Sequence, residues 1–153
     1  MNIFLSCTKK KASHRCKAEE MYGESSLFSK ALEYAKSLNP DKMYILSAKH
    51  HVLPLSKEID PYNKTLKDCS AEERKEWTEE VVKQLKAKGV NFEAKTLFFC
   101  GEDYIQYLKE YFPELGKNDA NAYVNCYLPD CLSEKESGTN MLHPVMVICP
   151  GGG

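Results

Sequence analysis

Three short apolar runs in this chain each end abruptly in residues able to do chemistry. Ile3 to Leu5 leads into Ser6-Cys7-Thr8-Lys9-Lys10-Lys11, and Met43 to Leu46 leads into Ser47-Ala48-Lys49-His50-His51. Thr96 to Cys100 leads into Gly101-Glu102-Asp103-Tyr104. In the first cluster, ammonium groups beside Cys7 favour the thiolate, the reactive form of the side chain. Cys7 and Lys10 are therefore the candidate catalytic groups. Ser6, Lys11 and the loop amides would form a cradle for phosphate or carboxylate. The competing reading is a solvated basic loop over a half-buried structural thiol.

In the second cluster, His50 and His51 suit general base catalysis or metal ligation, and Ser47 and Lys49 suit ligand contacts. Adjacent histidines on an extended segment point to opposite sides, so one of them, His50, is assigned to the site. No third ligand stands at a persuasive spacing, and Cys126 and Cys131 do not match a zinc knuckle, so no metal and no cofactor is expected. Further on, Pro61-Tyr62 combines a fixed turn with an aromatic face and a hydroxyl, the pairing expected for stacking a nucleobase. In the third cluster, Gly101 permits a tight strand-to-helix turn whose free amides suit an anion, with Glu102 and Tyr104 beside them. Glu19, Glu20 and Tyr22 lie where they too can face this edge, and Tyr22 is included among the ligand-binding candidates.

The elements that must position these groups follow from periodicity. The first strand, Asn2 to Leu5, precedes a polar loop to Cys16. A helix capped by Ser25 or Ser26 follows, with Leu27, Phe28, Ala31, Leu32, Ala35 and Leu38 on one face. Asn39-Pro40-Asp41 stops it and starts the second strand, so the unit is strand–helix–strand and its strands are parallel. Residues 50–69 read as one long loop. Ser70 to Glu73 matches a capping box, and its helix points Trp77, Val81 and Leu85 inward before Gly89 ends it. The third strand, Thr96 to Cys100, opens a helix with Ile105, Leu108 and Phe112 on its stripe, closed by Pro113. Tyr123 to Leu128 and Val145 to Cys149 read as further strands, separated by a polar stretch over 130–140.

The expected fold is a single α/β domain over residues 1–150, with a largely parallel central sheet and helices on both faces; residues 151–153 form a glycine tail. The first three strands are expected in the order two-one-three. Ligands of such sheets bind beyond the carboxyl ends of the strands, where all three clusters fall.

Bulk composition narrows the function. A chain of 153 residues holds one sizeable core. Its formal net charge of −1 argues against a protein that coats duplex DNA, though a local basic patch is compatible with it. No segment reads as a signal peptide or a membrane span. The seven cysteines are odd in number and several sit in apolar runs, so reduced thiols and a cytoplasmic location are expected.

Together, Ser6-Cys7-x-x-Lys10, Ala18-x-x-Met21-Tyr22, Leu46-Ser47-Ala48-Lys49-x-x-x-Leu53, Pro61-Tyr62 and Gly101-x-x-Tyr104 resemble small relatives of the YaaA-like peroxide-stress proteins, found in bacteria and their phages. The resemblance covers roughly residues 1–112. His50-His51 stands where that family has Tyr-Gly, which changes the local chemistry. The resemblance implies an α/β fold and a connection with nucleic acids and oxidative damage, without supplying a reaction. The expected function is nucleotide- or single-strand-directed, in its catalytic form an enzyme acting on a base or glycosidic bond. The alternative is a non-catalytic module that sequesters a nucleotide or binds DNA.

Overall fold

A computed structural model describes residues 1–112. The strands expected over 123–128 and 145–149, the polar stretch between them and the glycine tail lie outside the described residues. The central sheet has the order β4-β3-β1-β6, built from β1 (Asn2–Ser6), β3 (Lys42–Ser47), β4 (His51–Pro54) and β6 (Thr96–Phe99). β1 lies parallel to both β3 and β6, with Leu5 opposite Ile45 on one side and Phe99 on the other. The expected order of the first three strands is therefore observed, and all three end at one edge.

The apolar runs become central strands because both of their faces are covered. Ile3, Phe4 and Leu5 are at most 1% exposed although successive side chains point to opposite faces. On one face, Phe4 stacks on Phe98 with centroids 5.4 Å apart, and Phe112 packs edge-on against both. On the other, Phe99 meets Tyr34 of helix α2 (Ser26–Ser37) at 6.2 Å. The Ser25 hydroxyl caps α2 by accepting from the Phe28 amide at 3.2 Å, and Phe28, Ala31 and Ala35 are its buried residues.

Helix α3 (Ala71–Ala87) opens with the expected capping box, in which Ser70 Oγ accepts from the Glu73 amide and Glu73 Oε1 from the Ser70 amide. It buries Trp77, Thr78, Val81, Val82 and Leu85 and lies against β4. Gly89 ends it at φ +76°, the left-handed conformation that glycine adopts without penalty.

Three expectations need correction. Residues 50–69 are not one irregular loop: they contain β4, β5 (Glu58–Ile59) and a 3₁₀ turn at Leu66–Asp68. β4 has no alternating pattern to announce it; it forms by antiparallel pairing with β3, and Pro54 is tolerated because β4 is an edge strand. The polar loop after β1 likewise holds β2 (Cys16–Lys17), paired antiparallel to β5, and the short helix α1 (Ala18–Met21). Finally, the third helix is only α4 (Glu102–Ile105) followed by a 3₁₀ turn at Lys109–Tyr111, although Ile105, Leu108 and Phe112 are buried as their spacing requires.

Candidate strand-end site

Beyond the carboxyl ends of β1, β3 and β6, side chains from six segments converge. The Cys7 amide donates to the Leu46 carbonyl at 2.9 Å, which carries the parallel pairing one residue past β1. That fixes Cys7, 6% exposed, above the sheet edge, with its Sγ 3.1 Å from Tyr104 Oη. Thr65 and the Leu66 amide also hydrogen bond to the Tyr104 phenol. Burial, reinforced by the neighbouring Cys7 sulfur, pushes the Tyr104 phenol far up, so it meets the thiol as a neutral hydroxyl.

Ser47, fully buried, ends β3. Its Oγ accepts from the Lys49 amide at 3.2 Å and the His50 amide at 3.0 Å. With both lone pairs used, its proton goes to Tyr62 Oη, 2.7 Å away. Tyr62 Oη also lies 2.7 Å from Tyr22 Oη, and the proton order Ser47 to Tyr62 to Tyr22 satisfies each oxygen in the row. Burial first, then the proximity of Cys7, raises both phenols, so this row too is neutral. The Trp77 indole N–H donates to the Ser47 carbonyl at 2.9 Å, and its ring meets Tyr104 edge-on and stacks on His51.

Cations surround Tyr62. Lys11 Nζ sits 4.5 Å from its ring centroid and Lys49 Nζ 5.9 Å, while His50 meets the ring edge-on. The Lys11 amine is shifted below its ordinary value by burial, partly offset by Cys7. His50 is held below the usual imidazole range by burial and then by Lys49, His51 and Lys57, so its ring is neutral near pH 7. Its Nε2 is buried without a hydrogen-bond partner among the described residues, a vacant polar contact beside Tyr62. The loop carrying Tyr62 is tied to the loop carrying Lys11 by β2–β5 pairing, by Arg15 to Asp60 at 3.0 Å, and by the Ala18 amide to the Lys57 carbonyl at 2.7 Å.

Of the residues singled out in the sequence, Cys7, Lys11, Tyr22, Ser47, Lys49, His50, Tyr62 and Tyr104 come together. The others stand apart or at the margin. Ser6 is half-buried in the last β1 pair. Lys10 and Pro61 are exposed, and the described contact of Lys10 is its carbonyl accepting from Thr8. Gly101 caps α4 at φ −72°, which any residue adopts. Four-residue α4 builds little dipole, and Glu102 and Asp103 in its first turn oppose an anion. Glu102 instead pairs with Lys109 at 3.1 Å and leaves Oε1 buried without a described partner. His51, expected on an extended segment, has a left-handed backbone at φ +66°; its ring lies on Trp77, whereas that of His50 meets Tyr62.

Two contributors escaped the sequence reading. Trp77 reads as a core residue at helical spacing, and nothing in that spacing reveals that its indole N–H anchors the Ser47 turn. Thr65 sits in a stretch without periodicity.

Among the described residues Cys7, Cys16, Cys69 and Cys100 are free thiols, and no three His, Cys, Asp or Glu side chains are grouped to hold a metal ion. Cys100 donates to the Phe4 carbonyl, and burial raises its thiol well above the ordinary value. No helix among the described residues is long and apolar enough to cross a membrane.

Fold and site together define a small α/β protein with a hydroxyl, thiol and amine cluster at the carboxyl edge of a mostly parallel sheet. The chain belongs to a family of unknown function, DUF6884, whose model matches residues 3–122. No curated protein and no solved structure matches it.

Proposed function

We propose that this chain acts on or binds a nucleotide or a short single strand at the strand-end cluster, with phosphate taken by Lys11 and Lys49. The observation that carries the reading is the pair of ammonium groups around the Tyr62 ring, beside a row of neutral hydroxyls, with no carboxylate paired to Lys11 or Lys49 among the described residues. Charge-assisted contacts to phosphate come from such cations, and hydroxyl donors and the vacant His50 Nε2 are suited to base or sugar edges. The Tyr62 hydroxyl is anchored inward, so a stacking base would meet the face that Lys11 now covers. The motif blocks that resemble YaaA-like proteins supply Cys7, Tyr22, Ser47, Lys49, Tyr62 and Tyr104, most of the cluster. That likeness supports a nucleic-acid connection and is the ground for preferring a nucleotide to a simple anion.

Binding without chemistry is favoured by one feature: the described partner of Cys7 is a phenol whose raised affinity for its proton makes it a poor base. In the catalytic form, acting on a base or glycosidic bond, Cys7 is the nucleophile and Tyr104 orients it. Calorimetric titration with a mononucleotide panel and a short single strand tests the reading; no heat with any of them at millimolar concentration overturns it. Cys7→Ser separates the two forms. If the thiol is the nucleophile, turnover is lost while affinity and folding stay near wild type. If it is only packed, activity and affinity both stay within a small factor, and iodoacetamide labels Cys7 no faster than Cys16 or Cys69.

A further inference from the structure

Tyr104 makes the contact on Cys7, yet α4 by itself cannot aim it. Four residues are too few for a helix to hold its own shape. α4 therefore takes its position from what it packs against, which is α3 and the 3₁₀ turn at Leu66–Asp68. One side chain joins all three. Arg74, near the start of α3, donates from Nε to the Leu66 carbonyl at 2.9 Å and from Nη2 to the Lys67 carbonyl at 3.3 Å. Its Nη1 lies 3.4 Å from Oδ1 of Asp103, the residue before Tyr104. Both side chains of this ion pair are mostly covered, at 20% and 28% exposed. One turn further along the same helix face, Trp77 meets the Tyr104 ring edge-on.

The turn that Arg74 grips is the one that orients the phenol. The Leu66–Lys67 peptide is held at both ends, its carbonyl by Arg74 Nε and its N–H by Thr65 Oγ1 at 3.3 Å. The Thr65 hydroxyl then gives its proton to Tyr104 Oη, which also accepts from the Leu66 amide. With both lone pairs used, the phenol directs its own proton to Cys7 Sγ, 3.1 Å away. The Cys69 amide also closes the turn on the Leu66 carbonyl at 3.1 Å, a bond within the segment that does not need Arg74. What Arg74 adds is the placement of the turn against α4.

We propose that Arg74 is the positioning residue of the Cys7–Tyr104 pair, fixing the phenol from the 3₁₀ turn on one side and from Asp103 on the other. The inference rests on reading the strand-end cluster as the site, and it adds a residue outside the cluster that sets how its thiol is met. A planar fork is required. Lysine keeps the charge for Asp103, but a single nitrogen cannot reproduce the rigid geometry that serves two carbonyls and a carboxylate together.

The test uses the full chain without ligand, with tyrosines labelled by carbon-13 at Cζ, whose resonance responds to the hydrogen bonds of the phenol. Tyr104→Phe assigns the signal. In Arg74→Lys the Tyr104 resonance is expected to move toward that of exposed Tyr111, while Tyr22 and Tyr62, buried in the same cluster, stay in place. Iodoacetamide should label Cys7 severalfold faster than in wild type, with Cys16 unchanged as the internal standard. Thr65→Val, which does not touch Arg74, should move the same resonance. Because both substitutions act through the Leu66–Lys67 peptide, their double variant should move it by less than the sum of the two. A Tyr104 resonance that stays in place in Arg74→Lys overturns the proposal, as does a common shift of all three phenols, which would mean general loosening. If Arg74→Lys does not fold, Asp103→Asn removes one arm of the clamp alone. It should give a smaller shift in the same direction, and no shift overturns the proposal. Nucleotide titration of the wild-type sample is independent of these readouts. Heat with nucleotides but no Tyr104 shift leaves the nucleotide reading standing and this one fallen; a Tyr104 shift without nucleotide binding does the reverse.

Discussion

Trp77→Ala is expected to lower the unfolding free energy by about 3–5 kcal/mol, the range for deleting a large buried aromatic. Trp77 is 5% exposed, stacks on His51 and meets Tyr104 edge-on. Truncation removes that contact surface and leaves a cavity between α3 and the strand-end turn. A second loss is polar: the indole N–H is the described donor to the buried Ser47 carbonyl. Trp77→Phe isolates this term. It retains most of the ring and should cost about 1–3 kcal/mol, the penalty for an unpaired buried acceptor. Urea unfolding of both variants, followed by circular dichroism, gives the two numbers. If Trp77→Phe is as stable as wild type, the hydrogen bond to Ser47 contributes nothing to stability. The same variant should also loosen the Ser47–Tyr62–Tyr22 row, because the Ser47 turn loses the group that holds its carbonyl. A Trp77→Phe chain with unchanged stability but weakened ligand binding would therefore also be informative: it would move the role of Trp77 from the fold to the site.

Lys11→Ala is expected to weaken nucleotide binding by roughly ten- to a hundredfold, since a hydrogen bond to a charged group is worth about 1.5–3 kcal/mol. Lys49→Ala should have a smaller effect, because its ammonium lies farther from the Tyr62 ring, at 5.9 Å against 4.5 Å, on an exposed side chain. Lys10→Ala should change affinity least, since Lys10 is exposed and its described contact is made by its backbone carbonyl. With a short single strand, each phosphate contact removed should reduce the slope of log affinity against log salt by about 0.7. Titrations at several salt concentrations measure affinity and slope together. Equal effects of all three substitutions would mean a diffuse basic surface rather than a built phosphate contact. An unchanged slope for Lys11→Ala would remove that residue from the phosphate assignment.

The physics of these predictions divides according to where the information resides. Ile3 to Leu5, Met43 to Leu46 and Thr96 to Cys100 are legible as strands because a strand buried on both faces must be apolar at every position. The parallel arrangement follows from the helix between the first two, since a crossover of that length returns the chain in the same direction. Parallel strands end at the same edge, so the convergence of Cys7, Ser47 and Tyr104 was determined by local pattern plus one rule of topology. The Ser25 cap, the Ser70–Glu73 box and Gly89 are likewise local, each satisfying backbone groups within a few residues.

Tertiary structure alone decided which members of each polar cluster enter the site. Lys9, Lys10 and Lys11 are equivalent in composition, and the pairing of β2 with β5, over 40 residues apart, sets Lys11 and not Lys10 against Tyr62. Two-residue strands carry no periodicity, and the four residues of β4 do not alternate, so neither that pairing nor β4 can be read before the chain is folded. The Tyr22–Tyr62–Ser47 row and the Trp77 anchor have the same origin. Hydroxyls and an indole N–H find partners by position in space, and their spacing along the chain follows no period that residue types could announce.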